Sequence, residues 1–249
     1  MRPVFVEKVM GKHQVTYYLC DECGLLQTEK PYWFDEAYKV PIGDLDTGLV
    51  RRNITNAMRL ALVIRRLFKN RGRFLDLGGG YGLLTRLMRD LGFDCYTSDK
   101  YCANMFAGGL EPVPGFKADA LFALEVLEHI EDPLGFIRDA FDRYGCKTLV
   151  FSTFVYQDAV PDRDWWYYAF ETGQHVTFYQ PRTLSMVAGA LGCAHFMCGR
   201  DFHVLTDRRV SWSTRLLFSN ERLFKMGCLA AIYRRRRHTA TWRELFVSE

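Results

Sequence analysis

An α/β fold with a doubly wound, mostly parallel sheet is what this sequence predicts, on three observations. Short apolar runs alternate through the middle of the chain with segments whose apolar residues recur every three or four positions. The first run, "FLDL", breaks into Gly78, Gly79, Gly80 and Gly82 before a helical pattern resumes, and α/β proteins hold nucleotides at such a strand, tight turn and helix. The 249 residues, 49% of them apolar, suffice for one sizeable core with additions.

The elements follow in order. From Asn53 to Lys69 the residues Ala57, Leu60, Ile64 and Leu67 form one apolar face, with Arg59 and Arg66 opposite, which predicts an amphipathic helix. Arg71, Gly72 and Arg73 lead into the first strand. Leu83, Leu84, Leu87, Met88 and Leu91 are the buried stripe of the helix after the glycines, and Gly92 ends it. "DCYTSD" is a second strand closing on Asp99, and "DALFALEV" a third. Asp132 and Pro133 suit the cap and first turn of a helix over Leu134, Ile137, Phe141 and Tyr144, which Gly145 stops. "KTLVFSTF", "HVTFY", a helix over Leu184, Val187, Ala188 and Leu191, and a final strand near "AHFMCG" complete the series. Residues 51–205 are thus the expected core domain. Residues 1–50 read as an N-terminal arm or lid and residues 206–249 as a basic extension.

Lys and Arg number 33 against 29 Asp and Glu, a net charge of +4 that neither demands nor forbids an anionic partner. Nucleic acid is not expected, because aromatic residues do not interleave with the one basic run, "YRRRRHTATWRE". That run suits peripheral contact with an anionic membrane face or a phosphate-linked substrate. No segment is apolar enough to span a bilayer. Eight scattered cysteines, and Glu7 and Lys8 interrupting the first residues, predict a cytoplasmic protein with reduced thiols.

The glycine turn constrains its ligand. It ends in Gly82-Leu83-Leu84-Thr85 without the lysine of a phosphate-cradling loop. Leu83 stands where a dinucleotide fingerprint starting at Gly78 needs Gly or Ala, a one-residue argument against NAD. Asp76 just before the glycines suits a zwitterionic ligand without phosphates. Asp99, some twenty residues on, is placed to accept from two ribose hydroxyls.

Four stretches in order, "FLDLGGGYG", "YTSDKY", "ALEVLEHIEDP" and "GQHVTFYQPRTL", resemble the class I S-adenosylmethionine-dependent methyltransferases. Within them the chain is similar to ubiquinone-type O-methyltransferases and to bacterial surface-polysaccharide sugar methyltransferases. The resemblance covers about Arg51 to Gly199 and implies a sheet of seven strands with a reversed edge strand. It implies that Gly78, Gly79, Gly80, Tyr81 and Gly82 admit the methionine part of S-adenosylmethionine and that Asp76 holds its ammonium through water. By the same resemblance Asp99, with Lys100 beside it, holds the ribose, and Glu125 and Val126 line the pocket. Arg52 could pair with the cofactor carboxylate. The family's acidic turn that meets adenine is not evident between Asn104 and Asp119.

For the chemistry, Glu125, Glu128 and His129 have the i, i+3, i+4 spacing of one helical face. Similar ubiquinone-type enzymes use such a set for a divalent cation; bracing the loop is the alternative role. His175, in a polar break before a strand, is the other candidate base. Trp165, Trp166 and Tyr168 in "DRDWWYYAFE" offer faces on which a sugar or quinol ring stacks, or else fold over the core. Cys20 and Cys23 resemble a remnant of a zinc module, with only His13 near in sequence. The reading is O-methylation of a sugar or glycan in surface-polysaccharide biosynthesis. A phenolic or quinol acceptor and a cofactor-binding protein without turnover are the alternatives.

Overall fold

The computed structural model describes residues 1–39, 42 and 47–235, with side chains described up to residue 231. Two sheets organise it. Strands β1 (Arg2–Val9), β2 (His13–Leu19) and β3 (Leu26–Thr28) form an antiparallel meander. A four-residue helix α1 (Phe34–Ala37) follows, then the long helix α2 (Leu49–Phe68). The central unit runs β4 (Arg73–Leu77), α3 (Leu83–Asp90), β5 (Asp94–Ser98), β6 (Ala120–Leu124), α4 (Pro133–Tyr144) and β7 (Thr148–Ser152). After it come β8 (Thr177–Phe178), α5 (Pro181–Ala190), β9 (Ala194–Cys198), β10 (Phe202–Thr206), α6 (Trp212–Ser219) and α7 (Glu221–Arg235).

The large sheet has the order β5-β4-β6-β7-β10-β9. Its first four strands are parallel, and β10 is antiparallel to both neighbours. The doubly wound α/β expectation holds, with three corrections. Among the described residues the sheet has six strands, not seven. Between β5 and β6 the chain carries Gly108, Gly109, Pro112, Pro114 and Gly115, residues that break regular structure. There the edge amide of Thr97 donates to the Leu110 carbonyl at 2.9 Å, so a loop covers the edge of β5. The reversed strand is also not at the edge: β10 is inserted between β7 and β9. A third correction concerns "HVTFY", whose Thr177 and Phe178 pair with β3 in the small sheet and not with the large one. The small sheet thus ties the N-terminal residues to the segment that carries His175.

Each side of the large sheet has its own apolar layer. On one, Phe74, Phe122, Val150 and Val204 pack against α2, α3, α6 and α7. On the other, Leu75, Leu121, Leu149 and Leu205 pack against α4 and α5. This alternation is what a strand buried on both faces requires. Asp132 caps α4 by accepting from Gly135 N at 2.9 Å, Pro133 opens it and Gly145 closes it at φ +71°, as the sequence indicates. A third cluster, built on Tyr17, Trp33, Tyr167, Tyr168 and Phe178, fills the small sheet. Among the described residues no helix is long and apolar enough to cross a membrane.

Candidate active site

A cavity of about 960 Å³ opens at the carboxyl ends of β4, β5 and β6, where ligands of doubly wound sheets bind. The glycine turn forms its floor. Gly78 and Gly80 adopt φ +66° and +56°, a region L side chains rarely enter. A Cβ on Gly78 would stand 2.8 Å from Val126, and one on Gly79 would stand 2.2 Å from Thr97 Oγ1 and 2.7 Å from Asp76 Oδ2. The turn therefore lies directly on these side chains, and only glycine permits it.

Of the expected cofactor contacts, Arg52, Asp76, Gly78, Gly79, Gly80, Tyr81, Asp99, Lys100, Glu125 and Val126 all line the cavity. Gly82 does not. It caps α3 at φ +83°, where a Cβ would collide with Asn104 Oδ1 at 2.3 Å, so its absent side chain serves the loop packed on the helix. Asp99 is an acceptor for three backbone amides: Gly80 N at 2.8 Å to Oδ2, and Tyr101 N and Cys102 N at 2.7 Å each to Oδ1.

Two buried polar atoms beside the turn, Asp76 Oδ2 and Thr97 Oγ1, have no hydrogen-bond partner among the described residues. Such atoms are costly to bury unless a ligand satisfies them. Burial, and next to it the Asp99 carboxylate, push the Asp76 carboxyl up to about 8. An open glycine cradle, an unpartnered carboxyl below it and a carboxylate at the next strand end fit S-adenosylmethionine. They offer acceptors for an ammonium and for ribose hydroxyls.

The other wall carries two histidines. His129 Nδ1 lies 3.0 Å from the Gln174 carbonyl and His175 Nδ1 lies 2.7 Å from the Tyr167 carbonyl. A carbonyl only accepts, so each ring carries its proton on Nδ1 and its lone pair on Nε2. The rings meet edge to face with centroids 4.9 Å apart, and both line the cavity. Burial lowers the His175 pKa to about 4, and burial together with the His175 charge lowers that of His129 to about 3, so both are neutral at neutral pH.

Glu125 and Glu128 depart from the one-face expectation. Only Leu127–His129 form a helical turn, and Glu125 adopts φ +56°, which turns its side chain to Ser152. Glu128 is fully buried, does not line the cavity and accepts from the Tyr167 hydroxyl at 2.8 Å through Oε1. Burial and the Glu125 charge raise its pKa well above the usual range, and its Oε2 is unpartnered among the described residues. The group whose ligand atoms lie within 4.8 Å of one another is Glu128, His129 and His175, so His175 replaces Glu125 in the predicted trio.

The aromatic loop is also corrected. Tyr168 is 1% exposed, packs against Tyr17 and Phe178 and donates to the Pro161 carbonyl at 3.0 Å, while Trp165 packs on Tyr168 and Phe178. Trp166 is 66% exposed, and none of the three lines the cavity. The small sheet takes this cluster as its core, a demand invisible from consecutive spacing. Aromatic residues that do line the cavity include Phe34, Tyr38, Tyr81, Tyr101, Phe136 and Tyr144, with Tyr38 and Tyr101 stacked at 4.2 Å. Asn53 and Asn56, polar positions three apart on α2, were the unused signal that this helix also faces the site. The cysteine pair is not joined by His13, which bonds Glu36 at the far end of β2.

The sequence matches a family described as a methyltransferase domain over residues 50–195. Similar solved structures include TnmH, at 18% identity and TM-score 0.46, covering 71% of this chain and 60% of that one. Magnesium protoporphyrin IX methyltransferase from Synechocystis PCC 6803, with S-adenosylmethionine bound, is 18% identical at TM-score 0.42, covering 70% of this chain and 90% of that one. CalO1, a methyltransferase of calicheamicin biosynthesis bound to S-adenosylhomocysteine, is 15% identical at TM-score 0.46, covering 70% and 60%. The chain thus spans about 60% of the length of TnmH and of CalO1. No curated protein matches the sequence. The family match covers more than half of the residues, and the chain belongs to the class I S-adenosylmethionine-dependent methyltransferases.

Proposed function

We propose that the protein methylates a hydroxyl group, and that the acceptor is a sugar or glycan of bacterial surface-polysaccharide biosynthesis. The observation that carries O-methylation is the pair His129 and His175, each with Nδ1 committed to a carbonyl and both lining the cavity that holds the glycine turn. When bound, S-adenosylmethionine supplies an electrophilic methyl group. Asp76 and Asp99 would hold its ammonium and ribose, the glycine backbone would allow its close approach, and Arg52 would pair with its carboxylate. His175 Nε2 takes the proton of the acceptor hydroxyl and later returns it to solvent, while His129 packs edge-on against it and fixes its plane. The stacked faces of Tyr38 and Tyr101, in a cavity also lined by Thr172 and Gln174, support a sugar, which needs both apolar faces and polar partners.

A phenolic or quinol acceptor is the second reading, favoured by the Glu128, His129 and His175 group, which could hold a divalent cation that acidifies such a hydroxyl. Transfer of labelled methyl groups to a panel of nucleotide sugars, saccharides, catechols and quinols, with and without chelator, separates the readings. Chelator-resistant labelling of saccharides is expected. Chelator-sensitive labelling of catechols alone would replace the first reading by the second. Cofactor binding without transfer to any acceptor would leave a binding protein.

The raised Asp76 carboxyl gives a pH dependence. Between the unfolded value of about 4 and the folded value of about 8, the folded state holds the proton more tightly, so ionisation lowers stability as pH rises through that window. A cationic ligand favours the ionised form and expels the proton. Affinity for S-adenosylhomocysteine is therefore expected to rise between pH 6 and pH 8, by at most about tenfold per unit, and then to level. Calorimetry in buffers of different ionisation enthalpy should detect proton release on binding, absent in Asp76→Asn. A flat profile in the unmodified protein would remove Asp76 from the ammonium site.

A further inference from the structure

The α6 and α7 pair has an outer surface that the cofactor site does not use. Both helices bury one face in a shared layer: Leu217 and Phe218 from α6, and Phe224, Cys228 and Ala231 from α7. Their other faces point away from that layer and are apolar where a solvated helix would be polar. On α6, Trp212 is 78% exposed and Leu216, four residues on, is also exposed. On α7, Leu223, Met226 and Leu229 recur every three residues, with Met226 and Leu229 exposed to 68% and 65%. Scattered exposed apolar residues are ordinary, but five large ones on two adjacent helices are a patch.

Charge selects what covers the patch. Residues 208–231 contain five Arg and Lys and one acidic residue, Glu221, a net charge of +4. The whole chain carries +4, so this segment alone accounts for the net positive charge. A second copy docked through the same patch would set two such surfaces against each other, which disfavours a symmetric dimer. Nucleic acid would satisfy the charge but not a surface of Trp, Leu and Met. A bilayer with anionic headgroups satisfies both, taking the apolar side chains at the boundary of headgroup and acyl chains while the basic residues meet phosphates.

We propose that the outer faces of α6 and α7 form an interfacial docking surface for an anionic lipid bilayer, with Trp212, Leu216, Met226 and Leu229 as its inserted side chains. Of the basic run expected to make such contact, Arg234 and Arg235 end α7, and the residues after them lie outside the described ones. The inference does not depend on which acceptor is methylated.

The test is co-sedimentation of the full chain with vesicles of phosphatidylcholine alone and of phosphatidylcholine mixed with phosphatidylglycerol. Binding to the mixed vesicles only is expected, weakened at least about tenfold by the triple change Trp212→Ser, Met226→Ser and Leu229→Ser, and weakened by raised salt. Affinity for S-adenosylhomocysteine should be unchanged in the variant, which reports its folding away from the surface. No association with mixed vesicles would overturn the proposal. So would binding that the triple change leaves intact, which would mark simple adsorption by the arginines. A dimer in light scattering that the triple change dissolves would assign the patch to a second copy instead.

Discussion

Replacing His175 by alanine is expected to lower methyl-transfer turnover about 10²–10⁴-fold while leaving S-adenosylhomocysteine affinity within about twofold. The size is that of losing a positioned general base, and the selectivity follows from its contacts: His175 lines the cavity and contacts Tyr167 and His129. Because Nδ1 donates to the Tyr167 carbonyl, any proton taken from an acceptor must be taken at Nε2. Adding imidazole should restore part of the lost rate to the alanine variant, a rescue that a merely packing role would not allow. The lowered pKa, about 4, means that the base is already neutral at pH 7, so kcat for the unmodified protein should stay flat down to about pH 5. A variant with ordinary turnover would remove His175 as the base and leave His129 Nε2 as the remaining imidazole nitrogen there.

The turn at Gly78–Gly82 and the strand-end acids were legible because local rules fix them: an apolar strand, glycines that must take positive φ, and a parallel neighbour ending in Asp99. Helix α4 was legible for the same reason, its cap, proline and terminal glycine being read from adjacent residues. Pairings between distant segments were not legible. Nothing near "HVTFY" indicates that Thr177 pairs with Gln27, yet that pairing brings His175 to His129. The same small sheet claims Tyr168 for its core, so an aromatic run that suggests a binding platform becomes packing. Glu125 was misplaced because its positive φ, unusual for a glutamate, breaks the helical spacing on which the Glu125, Glu128 and His129 trio relied.

Asp99→Ala is expected to weaken S-adenosylhomocysteine binding by about 3 kcal/mol, more than a hundredfold, and also to lower the melting temperature. Deleting the proposed ribose acceptor accounts for part of this. The carboxylate also receives Gly80 N from the glycine turn and Tyr101 N and Cys102 N from the loop beyond β5, so alanine leaves three amides without their acceptor. The turn and the proposed ribose site are thus set by one group, and losing it is expected to disorder the cradle as well as to empty a contact. Asparagine separates the two effects. Its single oxygen can serve Tyr101 N and Cys102 N, but its NH₂ then faces the Gly80 amide, donor against donor. Asp99→Asn should therefore recover most of the melting temperature and little of the affinity. Titration calorimetry with thermal unfolding of both variants decides the matter: alanine affinity within about threefold of the unmodified protein would move the ribose elsewhere. Equal recovery of stability and affinity by asparagine would show that the charge and the Gly80 contact are dispensable.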